Sequence, residues 1–73
     1  MTYRVVYEFH HDEGKAKSSL KKIPKVFSHP SIYKMKDGTL AVLAGEYTRS
    51  DWADAAVKKL YECGLWGGLL QEE

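Results

Sequence analysis

Apolar and aromatic side chains dominate the first ten residues of the chain. Five of them fall within residues 2–9, and these are Tyr3, Val5, Val6, Tyr7 and Phe9. β-Branched and aromatic residues favour the pleated backbone of a strand. The pattern therefore predicts a first strand over residues 2–9.

The spacing of apolar positions then changes to that of a helix. Ala16, Leu20 and Ile23 recur four and three residues apart, which places them on one helix face. Asp12 stands where a side-chain acceptor would cap the first turn, and Pro24 ends the helix. We therefore predict a short first helix with a single apolar face.

Residues 25–31 follow with little periodicity and with a second proline, Pro30. Such a stretch is interpreted as a loop, because proline and the absence of a regular apolar repeat disfavour both helix and strand. Val26 and Phe27 are its large apolar residues. We expect that they can still pack onto the core.

A tight hairpin is the clearest local feature of the sequence. Two strand-like segments, residues 32–36 and 39–47, flank the pair Asp37 and Gly38. An Asp-Gly pair supplies the positive φ that a two-residue hairpin turn needs. The second and third strands are therefore predicted to be antiparallel neighbours.

The last third of the chain predicts a longer helix and a final strand. Ser50 or Thr48 begins the helix, and Gly64 follows it as a left-handed cap. Residues 65–70 return to an apolar strand pattern. The inward stripe of the helix consists of Trp52, Ala53, Ala56, Val57 and Leu60.

The predicted order is strand, helix, strand, strand, helix, strand. This is the order of the ferredoxin-like split βαβ fold, an α+β architecture. In that fold a four-stranded antiparallel sheet carries two helices on one face and leaves the other face open. We predict one domain over residues 1–73, because so short a chain buries only about 60% of its unfolded surface.

Eight residues of the second half form a recognisable series, and they are Val42, Gly45, Tyr47, Ser50, Ala53, Ala56, Leu60 and Gly64. Through them residues 40–70 resemble the second half of a SPOR domain, the sporulation-related repeat that binds bacterial peptidoglycan. The first half departs from that family, because Val6 and Tyr7 stand where it has a glutamine and a glycine. The resemblance implies the same fold and, as an alternative function, binding of peptidoglycan glycan strands.

Charge argues against a dedicated nucleic-acid binder. Eleven basic and ten acidic residues leave a net charge of +1, without the basic excess of such proteins. The first helix and its exit nevertheless carry a run of lysines, interpreted as a solvated face and, less favourably, as contacts to an anionic partner such as nucleic acid. These lysines are Lys15, Lys17, Lys21, Lys22 and Lys25.

Candidate catalytic chemistry is sparse in this sequence. His10, His11, Asp12 and Glu13 are the densest run of potential metal ligands, but adjacent histidines on a strand point to opposite faces and Asp12 is needed as a cap. The single cysteine, Cys63, excludes a disulfide framework and is expected to pack as a small hydrophobe. No serine–histidine–acid arrangement can be assembled. We predict a protein that is not an enzyme and that binds no metal or cofactor.

Cellular location is inferred from two further features. Residues 1–6 lack the charged and then apolar pattern of an export signal. No apolar segment reaches the roughly 18 residues that span a bilayer. We therefore expect a cytoplasmic protein without membrane insertion.

The strands contain apolar groups in both of their alternating rows, as Val42 and Leu43 show. Apolar groups on both faces imply burial on both faces, and two helices can cover only one. Another molecule would cover the second face, so we predict an adaptor or inhibitor that docks its sheet face or edge on a larger intracellular protein, or a homodimer. The predicted partner-binding residues are Tyr3, Tyr7, Tyr33, Met35, Leu43 and Trp66.

Overall fold

The secondary structure follows the predicted α+β order. The computed structural model describes residues 2–27 and 29–71. Its six elements are β1 (Tyr3–His10), α1 (Glu13–Lys22), β2 (Ser31–Lys34), β3 (Leu40–Tyr47), α2 (Ser50–Glu62) and β4 (Gly68–Gln71). Within these described residues, neither α1 nor α2 has the length and apolarity needed to cross a membrane.

The four strands form one antiparallel sheet in the order β2-β3-β1-β4, which confirms the ferredoxin-like description. The central strands have 8 residues each and the edge strands 4 residues each. β4 pairs with residues 3–6 of β1, and β2 pairs with residues 40–43 of β3. Because β1 and β3 are antiparallel, the two short strands cover opposite ends of the sheet.

A register shift near the middle of β3 changes which residues share a face. Val5 lies opposite Gly45, but the next residue, Val6, lies opposite Leu43. Ala44 is therefore the extra residue of a bulge-like irregularity. As a result Val5 and Ala44 both pack toward the helices, whereas Val6 and Leu43 face the other way.

The main core lies between the sheet and the two helices. Its helix residues include three alanines, whose small side chains let the helices approach the sheet closely. The molecule is accordingly only 17 Å thick along its shortest axis. The buried residues of this core are Val5, Ala16, Ile23, Phe27, Val42, Ala44, Ala53, Ala56 and Leu60.

The predicted helix starts are confirmed. Asp12 Oδ1 accepts hydrogen bonds from two backbone N–H groups of the first turn of α1, 2.7 and 3.4 Å away. α2 begins at Ser50, although its N-cap position is occupied by Arg49, which makes no side-chain cap hydrogen bond. The Arg49 guanidinium pairs instead with Asp51 at 3.0 Å.

Two connections flank β2, namely the hairpin turn that follows it and the loop that precedes it. Gly38 has the predicted positive φ, 92°, but Asp37 does not, so the hairpin closes with a three-residue loop, residues 36–38, in place of the predicted two-residue turn. The Gly38 N–H donates to the Met35 carbonyl at 3.0 Å, and the Met35 N–H donates to the Thr39 carbonyl at 2.8 Å. In the preceding loop Phe27 is buried, whereas Val26 is exposed. Only one of the two apolar loop residues therefore reaches the core.

β4 begins three residues later than the predicted final strand. The Gly64 N–H donates to the Tyr61 carbonyl and the Leu65 N–H to the Leu60 carbonyl, which is the Schellman pattern of a helix end. Gly64 has the left-handed φ of 79° expected there. Gly67 then packs against Leu60 so closely that a Cβ would lie 2.5 Å from its Cδ1. Residues 65–67 of the predicted strand thus form the connection between α2 and β4.

Candidate functional site

The sheet face turned away from the helices carries a second, smaller apolar cluster. Val6, Ala41 and Leu43 are buried there, and Val6 lies directly opposite Leu43. In the described residues both helices pack on the other side, so only side chains of the sheet and hairpin cover this cluster. We call this surface the open face, and its residues are Arg4, Val6, Phe9, Tyr33, Met35, Ala41, Leu43, Glu46 and Leu70.

Arg4 is the second residue of β1 and lies at the end of the open face where β4 pairs. Its cross-strand neighbours are Glu46 on β3 and Leu70 on β4. The guanidinium carbon lies 4.3 Å from the centroid of the Tyr33 ring on β2. Since β3 separates β1 from β2, the Arg4 side chain extends across β3 to reach that ring. The side chain is only 17% exposed.

The charge of Arg4 is incompletely compensated within the described residues. Its Nε lies 3.9 Å from Glu46 Oε2, which permits an ionic attraction but is too long for a hydrogen bond. This Nε is buried and has no hydrogen-bond partner. An unsatisfied buried donor costs about 1–3 kcal/mol, and more when the group is charged. The part of the guanidinium that stays exposed, and not the buried Nε, is what an acceptor from outside the chain can reach.

Three of the six predicted partner-binding residues meet on the open face, namely Tyr33, Met35 and Leu43. Tyr33 and Met35 are half-buried and cover the cluster. Leu43 is fully buried, so it supports the face from below and presents no surface of its own.

Tyr3 and Tyr7 lie on the opposite side of the sheet, contrary to the prediction that groups them with the other three. Both are half-buried against the main core. Tyr7 is the extra residue of a second register shift, between Val6 and Glu8. Burial, together with the nearby charge of Glu8, raises the pKa of the Tyr7 phenol. These two tyrosines therefore belong to the folding core.

Trp66 also lies outside the open face. It is 77% exposed, in the segment between α2 and β4. Its ring meets the edge of Tyr61 with centroids 6.1 Å apart, and the Tyr61 hydroxyl donates to the Gly67 carbonyl at 3.0 Å. Trp66 thus packs against Tyr61 of α2 and forms an exposed feature that is separate from the open face.

The predicted lysine run is exposed throughout and lies on α1 and its exit. It therefore occupies the helix layer, on the side of the sheet opposite the open face. These residues are Lys15, Lys17, Lys21, Lys22 and Lys25.

A serine, a histidine and a carboxylate do come together, contrary to the prediction. Ser19 Oγ donates to Glu8 Oε1 at 2.5 Å, while His10 Nε2 lies 2.7 Å from Ser19 Oγ and 2.9 Å from Glu8 Oε1. A catalytic triad needs the two ring nitrogens to contact serine and acid separately. Here one nitrogen contacts both, and Ser19 is 3% exposed. The cluster therefore clamps α1 to β1 and does not activate a nucleophile.

The same cluster changes the acidity of Glu8. The hydrogen bond from Ser19, and after it the contact with His10, holds the pKa of this carboxyl below its usual value. A sequence signal for the cluster existed. Glu8 and His10 are two residues apart on a strand and so share a face, and Ser19 falls three residues after buried Ala16 on the inward side of α1.

The remaining candidate ligands do not assemble into a metal site. No group of three histidine, cysteine or carboxylate side chains that could hold an ion occurs in the described part of the chain. Asp12 acts as the helix cap. Cys63, predicted to be packed, is exposed, because it lies past the last helical residue at the C-cap, where the backbone has turned away from the inward stripe.

A shallow apolar groove opens on the helix side, with a volume of about 230 Å³. Trp52 borders it and is exposed, although its spacing predicted an inward position. The Arg49 guanidinium lies 5.0 Å from the Trp52 ring centroid, so the ring packs against a cation at the helix start. The lining residues are Val26, Phe27, Tyr47, Trp52, Ala55, Ala56 and Lys59.

Comparisons with protein-family models, with curated proteins and with solved structures found no match to this chain. The resemblance of residues 40–70 to a SPOR domain therefore stays a prediction. Functional inference rests on the geometry of the open face.

Proposed function

We propose that this protein is a non-enzymatic binding module that docks its open face on a larger intracellular protein, as an adaptor or inhibitor. One observation carries the proposal. Val6, Ala41 and Leu43 form a buried cluster on the side of the sheet that neither α1 nor α2 covers. A partner surface would complete the second layer that such a face needs.

The size of the open face suits a specific interface. The two long axes of the molecule measure 30 and 28 Å. These dimensions set the upper limit for one face of the molecule, which is of the order of the roughly 800 Å² that each partner buries in a standard protein–protein interface. The composition also fits, because arginine and tyrosine are enriched among the residues that dominate binding energy, and Arg4 stacks on Tyr33 on this face.

Site-specific photo-crosslinking tests this function. The photoreactive residue p-benzoylphenylalanine is placed at Phe9, on the open face, or at Tyr61, on the helix layer, which are 52% and 51% exposed. Each protein is irradiated in separate cytosolic and cell-wall fractions of the native host. We expect a discrete adduct with a larger cytosolic protein from position 9 only. Identical adducts from both positions, or none from position 9, would refute the proposal.

Two alternatives are distinguished by one measurement each, crosslinking of the purified protein and co-sedimentation with peptidoglycan. A homodimer would produce an adduct of about twice the 8.3 kDa chain mass with purified protein alone. Binding of peptidoglycan glycan strands, the second candidate, is favoured by Tyr33, whose aromatic ring lies on the open face and could pack against a sugar ring. It predicts co-sedimentation with peptidoglycan stripped of stem peptides, reduced by Tyr33→Ala and unaffected by Tyr61→Ala.

A further inference from the structure

We propose that Arg4 is the anchor of the open face and that the partner protein meets it with a carboxylate, from an acidic side chain or a chain end. This inference rests on the proposed function and specifies the chemistry of the partner. Its basis is a guanidinium that stacks on Tyr33, keeps 17% of its side-chain surface exposed on the face of the apolar cluster, and has its nearest described carboxylate, Glu46, 3.9 Å away, beyond hydrogen-bond length.

The guanidinium is held in place before any partner arrives. The Tyr33 ring supports it at 4.3 Å, and the buried stem of Arg4 leaves it little freedom. An immobilised arginine loses less conformational entropy when it binds, and its planar fork of donors matches the two oxygens of a carboxylate. The geometry therefore favours a flat, two-oxygen acceptor.

The surroundings favour a single negative charge with apolar neighbours. Val6, Met35 and Leu70 belong to the apolar cluster on the same face as Arg4 and suit an aliphatic or aromatic side chain beside the carboxylate. Glu46 lies close enough to repel a polyanion such as a phosphate backbone. The lysine run that could attract a polyanion is on the helix layer, on the other side of the sheet. A protein carboxylate thus fits this site better than nucleic acid.

Glu46 acts as an internal competitor for the same guanidinium. Its carboxylate is 3.9 Å from Arg4 Nε, and its side chain is 46% exposed, so it attracts Arg4 without satisfying it. Removing the Glu46 charge should therefore strengthen binding of an external carboxylate. A purely structural role for Arg4 predicts no such gain, which makes the direction of the effect diagnostic.

Nuclear magnetic resonance with a matched pair of small probes tests the site on the isolated protein. N-acetyl-leucine carries an aliphatic group and a carboxylate, and N-acetyl-leucinamide lacks only the charge. The chain has two arginines, so the Nε–H region contains Arg4 and one internal control, Arg49, which is already paired with Asp51. We expect the acid, and not the amide, to shift the Arg4 resonance and leave that of Arg49 unchanged.

Two variants then test how the affinity for N-acetyl-leucine depends on Glu46 and on the Arg4 guanidinium. Glu46→Gln should lower the apparent Kd for N-acetyl-leucine at least threefold, and Arg4→Lys, which keeps the charge but loses the planar fork, should raise it at least tenfold. Backbone amide spectra establish that both variants are folded. An equal response to acid and amide, or weaker binding after Glu46→Gln, would overturn the inference.

The crosslinking experiment separates a failure of this inference from a failure of the proposed function. If the Phe9 adduct forms equally well with Arg4→Lys and with Glu46→Gln, the open face binds a partner but the carboxylate assignment is wrong. If N-acetyl-leucine binds as expected and no adduct forms from position 9, the carboxylate site stands and the proposed function is wrong.

Discussion

The clamp between α1 and β1 gives a prediction whose size and pH dependence both follow from the structure. Replacing Ser19 by alanine removes its hydrogen bond to Glu8 Oε1 and its contact with His10 Nε2, and leaves the contact between Glu8 and His10 in place. Ser18→Ala is the matched control, because Ser18 is the preceding residue of the same helix and is exposed. The two variants share the same change in composition.

The expected magnitude combines a loss and a gain. A hydrogen bond to a charged group contributes about 1.5–3 kcal/mol, and the lower part of that range applies because the Glu8 side chain is 40% exposed to solvent. Alanine in place of serine within a helix raises the free energy of unfolding by about 0.5 kcal/mol, because alanine has the higher helix propensity. We therefore expect Ser19→Ala to lower the free energy of unfolding by about 1 kcal/mol. Ser18→Ala should instead raise it by about 0.5 kcal/mol.

The pH dependence identifies the charge as the cause. The folded protein holds the pKa of Glu8 below its unfolded value, so the resulting stability is present above the unfolded pKa and is lost as pH falls through the folded pKa. The first cause of that lowering is the Ser19 hydrogen bond. The difference between wild type and Ser19→Ala should therefore shrink as Glu8 becomes protonated.

Urea unfolding at a series of pH values measures both effects. The free energies are compared with those of Ser18→Ala at each pH, which removes the contribution of helix propensity. A Ser19→Ala penalty that stays constant from neutral pH to below the Glu8 pKa would refute the assignment of a charge-assisted bond. If the free energy of unfolding of Ser19→Ala is no lower than that of Ser18→Ala, the clamp itself is refuted.

Three further predictions follow from burial and backbone geometry. Leu43→Asp should unfold the protein, because it places a charge in a fully buried position, whereas Phe9→Asp should leave the thermal melt nearly unchanged; similar melts for the two would contradict the buried cluster. Gly67→Ala should cost about 1–3 kcal/mol in urea unfolding, since its Cβ would lie 2.5 Å from a core atom of α2, and Gly68→Ala, with open space around it, should cost little. The Cys63 thiol should react with a thiol reagent as fast in native protein as in denaturant, and strong native protection would show that it is packed.

Features fixed by neighbouring residues could be predicted from the sequence. Asp12 caps α1 because its carboxylate reaches N–H groups two and three residues away. Gly38 and Gly64 adopt positive φ where a turn and a helix end require it. Each depends on a stretch of a few residues, so the local pattern was sufficient. The order of elements and the ferredoxin-like fold follow from such local features in sequence.

The face of the sheet that each residue occupies could not be predicted in full. Side chains of β1 alternate between the two faces of the sheet, but this alternation breaks at Tyr7, where the register against β3 shifts. The face of a residue after Tyr7 therefore cannot be counted from the residues before it. A one-residue shift in pairing moves side chains to the other face. Plain alternation predicts Phe9 on the side of Tyr3, Val5 and Tyr7, whereas after the shift Phe9 lies opposite Ala41 on the open face. The shift depends on both strands together, which no pattern within one strand shows.

The role of Arg4 depends on an even longer-range arrangement. Arg4 and Tyr33 come together only because β3 lies between their strands and the side chain extends across it. In sequence Arg4 is one basic residue in a strand, and its charge suggests solvent exposure. The structure places it on an apolar surface with a buried nitrogen that Glu46 fails to satisfy. A cation in that position lowers the stability of the isolated domain, because an aliphatic residue there would leave no donor without an acceptor. If the proposed docking is correct, the same desolvation strengthens the contact between Arg4 and a partner carboxylate, so we expect the feature that costs stability in the free protein to support recognition.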